Sequence, residues 1–132
     1  MIYNNKRIKN IIFDLGGVLL DIDPEYTYRM FRDFAASTIS FDDAYKILKK
    51  EQFFENFEEG KISKELFRDT ISEKLGLSVS GNEIDKIWNT MIIRFRQSVF
   101  EFLPQLKKQY NTYVLSNTNA IHEQYFRDKF TK

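Results

Sequence analysis

The chain contains no cysteine, which excludes disulfides and thiolate metal centres. An excess of either charge is also missing. The 20 Lys and Arg residues against 19 Asp and Glu leave a formal net charge of +1, too little for a general attraction to nucleic acid or an anionic membrane surface. No apolar run approaches the roughly 18 residues of a membrane span. The N-terminal MIYNNKRIKN is too polar for a secretory signal, so a cytoplasmic protein with no membrane or nucleic-acid partner is expected. Aromatic residues, by contrast, are plentiful. Thirteen Phe, seven Tyr and one Trp make 16% of 132 residues, and most recur at helical spacing, which reads as core. With 42% apolar and 30% charged residues, the balance is that of one soluble globular domain.

Residues 8–13 predict a strand, being too few for a helix, β-branched and closed by glycines. Asp23-Pro24 marks a helix start, with Asp as N-cap and Pro at the first helical position. Met30, Phe31 and Phe34 continue one face. Ser40 to Asp43 resembles a capping box with Asp where Glu or Gln is usual, and Phe41, Ala44, Tyr45 and Leu48 follow at helical intervals. Another helix starts at Ser63, carries Phe67, Ile71 and Leu75, and stops at Gly76. Ser80 with Glu83 opens the best-marked helix, whose apolar stripe is Ile84, Ile87, Trp88, Met91, Ile92 and Phe95. A helix over about 98–109 contains Pro104, which should kink it or shift its start. Residues 112–115 predict a second strand, closed by Ser116-Asn117-Thr118-Asn119, and residues 120–130 a last helix.

Two strands separated by helices cannot form a hairpin, so they predict a parallel pair in an α/β sheet. The block from 23 to 97 is too long for one crossover helix and reads as an all-helical insertion. The expected organisation is a core strand and loop over 1–22, a helical cap over 23–97, and a returning core segment over 98–132.

In an open parallel sheet, ligands bind beyond the carboxyl ends of the strands. One predicted strand ends on Asp14, in IIFDLGGVLLDID, and the other on Ser116 and Asn117. A hydroxyl and free amides at a helix start suit a phosphate. A carboxylate beside that phosphate needs a cation between them, and Mg²⁺, held by few carboxylates and by phosphate oxygens, meets the need. Gly16 and Gly17 would let the loop turn sharply and bring backbone close to ligand and metal. Alternatives stay open. Asp14 alone also reads as a turn residue, and Ser-Asn-Thr-Asn alone as a helix cap and turn. The glycine pair completes neither G-x-G-x-x-G nor a Walker loop.

With these residues in view, IIFDLGGVLLDID and YVLSNTN resemble the first two motifs of the haloacid dehalogenase-like (HAD) hydrolases. The pattern is similar to the sugar-phosphatase branch with a helical cap inserted after the first motif. The resemblance implies a Rossmann-like parallel sheet, incomplete here, and a Mg²⁺-dependent phosphatase of small phosphorylated metabolites. It makes Asp14 the nucleophile and a Mg²⁺ ligand, the Gly16 carbonyl a second ligand, and Ser116 and the Asn117 amide the phosphate binders. Gly16 stands where many of these phosphatases carry a general acid. Asp21 and Asp23 are candidate substitutes, with loop residue and helix cap as their plainer readings.

The family's downstream lysine and acidic pair are expected to be absent, because the chain reaches Lys132 before either. That implies the N-terminal portion only, with the activity of this chain on its own left open, and an unpaired edge beside residues 11–13 that favours a homodimer or domain swap. Two other functions stay open: a non-catalytic module acting through its cap or by oligomerisation, and a haloacid-type dehalogenase. His122 reads as a packing residue or a substrate contact, and Phe53, Phe54 and Phe57 as core or as the cap face over Asp14. Lys107-Lys108 reads as a solvated surface.

Overall fold

A computed structural model describes residues 2–3, 6–38 and 40–130. In chain order the elements are β1 (Ile2–Tyr3), β2 (Lys6–Arg7), β3 (Asn10–Phe13), β4 (Leu20–Ile22), α1 (Pro24–Phe34), α2 (Phe41–Lys50), α3 (Phe53–Glu58), α4 (Lys64–Leu75), α5 (Gly81–Asn89), β5 (Ile92–Phe95), α6 (Gln97–Lys107), β6 (Asn111–Val114) and α7 (Ala120–Phe130). They form two compact units, residues 1–22 with 92–116, and residues 23–91 with 117–132. This division differs from the expected one at two places: residues 92–97 join the strand unit, and residues 117–132 join the helices. Among the described residues no helix is long and apolar enough to cross a membrane.

The strand unit is α/β. β3 pairs with β6 in parallel, with Ile11 opposite Thr112 and Phe13 opposite Val114. α6 covers one face, where the Phe13 and Phe102 rings lie 6.1 Å apart. β4 and β5 form an antiparallel pair, Leu20 opposite Phe95 and Asp21 opposite Arg94, with a bulge between Asp21 and Ile22. This pair corrects the sequence-based expectation that Ile92 and Phe95 extend a helical stripe. α5 stops at Asn89, the Thr90 hydroxyl donates to the Ile87 carbonyl at 2.7 Å, and the β-branched Ile92-Ile93 pair enters a strand. α6 runs through Pro104. The ring leaves the Phe100 carbonyl without its helical donor, and Phe100 is exposed, so water can serve it.

The helical unit is built from capped amphipathic helices around an aromatic core. Asp23 accepts from the Tyr26 amide at 2.9 Å with Pro24 at the first position of α1. Ser63 caps α4, and Ser80 with Glu83 forms a complete capping box on α5. The expected box on α2 does not close. The Ser40 hydroxyl donates to the Asp43 carboxylate at 2.6 Å, and no side chain caps the helix backbone. Asp is one methylene shorter than Glu, and here it holds the serine rather than the backbone. α4 ends on Gly76 at φ 62°, a left-handed position that favours glycine. Arg68 on α4 and Asp85 on α5 form a two-pronged ion pair at 2.9 and 2.6 Å. Phe31, Phe53, Phe57, Phe67, Ile71, Leu75, Ile84 and Trp88 fill the centre.

Candidate functional site

Strand pairing decides where the candidate residues stand. Because β3 and β6 run in parallel and in register, both carboxyl ends lie at the same edge of the sheet. The ladder extends one step beyond the strands, with the Leu115 amide donating to the Phe13 carbonyl at 2.9 Å. Asp14 follows Phe13 directly, and Ser116 follows Val114 by two residues. Asp14 is exposed, and Ser116 is half-buried. The Leu15 amide donates to Asp14 Oδ1 at 2.7 Å, which fixes the carboxylate and leaves Oδ2 for a ligand. Asn117 begins the second unit and is exposed.

The loop after Asp14 is a tight turn. The Leu15 carbonyl accepts from the Leu19 and Leu20 amides at 2.9 and 2.8 Å, and the Gly17 amide donates to the Leu20 carbonyl at 2.9 Å. The two glycines differ here. Gly17 has φ +72° and needs the missing Cβ, whereas a Cβ on Gly16 would meet only the Ile22 side chain at 3.4 Å, ordinary contact.

Neither candidate substitute acid is available as one. Asp21 accepts from Arg96 at 2.9 Å and from Arg94 at 3.4 Å. Arg96 foremost holds its carboxyl below the ordinary range, which keeps it ionised and paired. Asp23 caps α1. The alternation Arg94-Phe95-Arg96 is the signal in the sequence that marks this segment as a strand rather than a helix end.

His122 belongs to the helical unit. It is buried, stacks on Trp88 with centroids 5.3 Å apart, and bonds the Trp88 carbonyl through Nε2 at 3.2 Å and the Asn119 side chain through Nδ1 at 3.1 Å. Burial pushes its pKa down to about 4, against a smaller opposing effect of the Trp88 carbonyl. Between that value and its ordinary 6.5, the unfolded chain binds a proton that the folded protein does not. Stability therefore rises with pH across that window and is lost on acidification, by roughly 3 kcal/mol at full extent. Urea unfolding of wild type and His122→Gln from pH 7 to 4.5 checks this: the variant should lose distinctly less stability. Equal slopes would contradict it.

Among the described residues no group of three or more His, Cys, Asp or Glu side chains is placed to hold a metal ion. Asp14 and the Gly16 carbonyl stay as candidate oxygen donors. One carboxylate and one carbonyl fit Mg²⁺, which keeps several waters and takes further oxygens from a phosphate.

No protein-family model matches the chain. It is similar to a D-ribitol-5-phosphate phosphatase from Bacteroides thetaiotaomicron, at 32% identity over 117 residues, 86% of this chain and 54% of that protein. It also matches a crystal structure of a HAD family enzyme from the same organism, solved in complex with magnesium and inorganic phosphate. That match has a TM-score of 0.79 at 32% identity and covers 93% of this chain and 60% of the other. A predicted HAD-like family hydrolase from Porphyromonas gingivalis gives a TM-score of 0.70 at 28% identity, over 87% of this chain and 54% of the other. The chain thus spans little more than half the length of these relatives.

Proposed function

This chain belongs to the haloacid dehalogenase-like (HAD) family, and from that membership we propose that it carries the nucleophile half of a Mg²⁺-dependent phosphatase acting on small phosphorylated metabolites. The observation that supports the reading most is the in-register parallel pairing of β3 with β6, whose shared edge leads to Asp14 and Ser116.

In the proposed reaction, Asp14 Oδ2 attacks the phosphorus of a phosphate ester. A P–O bond forms to the carboxylate and the bond to the alcohol oxygen breaks, with the alcohol leaving as it gains a proton. Water then attacks the aspartyl-phosphate, releasing inorganic phosphate and regenerating Asp14. The amide of Leu15 orients the carboxylate for both steps. The Ser116 hydroxyl and the Asn117 amide hydrogen-bond the phosphoryl oxygens. Asp14 and the Gly16 carbonyl would hold Mg²⁺, which neutralises charge between carboxylate and phosphate. With Gly16 in place of an acid, Asp21 paired to arginines and Asp23 on a helix end, the leaving oxygen takes its proton from solvent. Esters of acidic alcohols are therefore the better substrates. The test is Mg²⁺-dependent hydrolysis of p-nitrophenyl phosphate that disappears in Asp14→Asn. Halide release from a 2-haloacid would indicate the dehalogenase instead.

A second reading rests on the bare side of the parallel pair. Among the described residues β3 pairs only with β6, and Ile12 and Tyr113, opposite each other, are 63% and 53% exposed. Such an edge and face favour association, here a homodimer or an exchange of elements. Light scattering at micromolar concentration should give twice the mass of one chain, and Ile12→Lys should return it to one. A wild-type monomer would rule out this association.

A further inference from the structure

The net charge of +1 hides an uneven division along the chain. The strand unit holds seven Lys and Arg residues against three acids, which leaves it at +4. One of those acids, Asp21, is already paired with Arg94 and Arg96. Four of the other cations, Arg7, Lys9, Lys107 and Lys108, line one recess of about 390 Å³ at the amino ends of β3 and β6, beside Tyr110 and Asn111. All four are exposed, and among the described residues no acid lines the recess and none of the four stands in an ion pair. Lys108 Nζ donates to Gln105 Oε1 at 3.1 Å. The backbone beneath them is fixed. The Asn111 amide donates to the Lys9 carbonyl and Asn111 Nδ2 to Asn10 Oδ1, both at 2.9 Å, which ties the two chain segments together. The Gln109 and Tyr110 amides both donate to the Leu106 carbonyl at 2.9 Å, which holds the turn where Lys108 leaves α6.

Lys107 and Lys108 close α6, where cations complement the helix dipole, and that alone accounts for them. It does not account for Arg7 and Lys9, which come from β2 and the residue before β3. Like charges gathered in one recess repel, and no carboxylate there offsets them. A compact anion of several charges reverses the sign, because each cation then gains an oxygen partner. We propose that this recess is a binding site for a small diphosphate-type anion, whose two adjacent phosphoryl groups bring several charged oxygens within reach of four cations at once. Ile8 is the one aliphatic side chain in the lining, so the recess offers a lipid surface no apolar anchor. Its concave form suits a compact ion better than a running strand. The site also stands apart from Asp14 and Ser116. Those residues follow the carboxyl ends of β3 and β6, and the recess lies at the amino ends, roughly 13 Å away along the four residues of β3. The inference is therefore independent of the nucleophile reading.

The test is calorimetric titration of the whole chain with inorganic pyrophosphate, without Mg²⁺. Wild type should bind one pyrophosphate per chain, more weakly as salt rises, and at least about tenfold more tightly than orthophosphate. Lys9→Gln with Lys108→Gln should weaken binding at least about tenfold and unfold at or above the wild-type temperature, because it relieves repulsion. Arg7→Gln, outside α6 and the parallel pair, should weaken it in the same direction. Lys49→Gln with Lys50→Gln removes the same charge from exposed positions in the helical unit and should bind as wild type does. No saturable binding, or an equal loss in the two double variants, overturns the site. Orthophosphate bound as tightly as pyrophosphate overturns the diphosphate assignment, and an oligodeoxynucleotide bound more tightly than either overturns it in favour of a nucleic-acid surface. Binding retained in Asp14→Asn supports a site of its own, whether or not the wild type hydrolyses p-nitrophenyl phosphate. Binding lost in Asp14→Asn would place the anion at Asp14 and overturn the recess.

Discussion

Asp14→Asn is expected to lower hydrolysis of p-nitrophenyl phosphate at least about a thousandfold, because a carboxamide cannot form the acyl-phosphate bond on which both steps depend. The substitution is close to isosteric. The His122 contacts with Trp88 and Asn119, the β3–β6 ladder and the helical core do not involve the Asp14 side chain, so circular dichroism and the unfolding midpoint should stay near wild type. The side-chain oxygen of asparagine can still accept from the Leu15 amide, as Oδ1 does at 2.7 Å, so the turn after β3 persists. A second readout separates the nucleophile from a residue that merely binds metal. Wild type quenched in acid during turnover should carry one phosphoryl group on Asp14, labile to hydroxylamine, and the variant none. Residual activity within tenfold of wild type would place the nucleophile elsewhere. Full loss of activity with the covalent label retained would make Asp14 dispensable to the first step alone.

The features legible in the sequence were those set by local chemistry. Asp23-Pro24 and Ser80 with Glu83 name their own hydrogen-bond partners within one turn, and the structure contains those bonds. The parallel pairing of the strands followed from the helices between them. The misreadings came where two periods overlap. Trp88, Met91, Ile92 and Phe95 fit a helical stripe, yet Ile93, Arg94, Phe95 and Arg96 also alternate apolar and charged, and pairing with β4 decides the matter. β4 itself, Leu20–Ile22, is only three residues long and gives no periodic signal. The α3 helix went unread because it has six residues and starts after Gln52 at φ 54°, without a capping side chain.

The site shows the same division. A sequence names Asp14, Gly16, Ser116 and Asn117 as residue types in order, and the strand register gives Asp14 and Ser116 a common edge. It cannot show that Asp21 is already taken by Arg94 and Arg96, more than 70 residues away, because that pairing exists only once β5 lies beside β4. Nor does it show that His122 turns to Trp88. A lone histidine early in a helix has the same letters whether it faces solvent, substrate or core, and only the burial beside an indole decides its charge.

Phe67→Ala is expected to cost about 3–5 kcal/mol, the range for removing a fully buried aromatic ring. Phe67 is 0% exposed and lies at the centre of the helical unit's stack. Its ring centroid is 4.2 Å from Phe57, 5.5 Å from Phe53 and 5.0 Å from Trp88. Three aromatic neighbours on a rigid set of helices cannot close over the vacated volume without leaving their rotamers, so the cost falls at the upper end rather than the lower. A domain holds only about 5–15 kcal/mol in total, so this single change removes a large part of the margin. Phe67→Leu keeps most of the volume and should cost clearly less. Urea unfolding followed by the emission of Trp88, the chain's one tryptophan, measures both variants in the unit concerned. A loss below about 1 kcal/mol in Phe67→Ala would mean that the stack is not what holds these helices together, and that their caps and the Arg68–Asp85 pair carry more than surface contacts of that kind supply elsewhere.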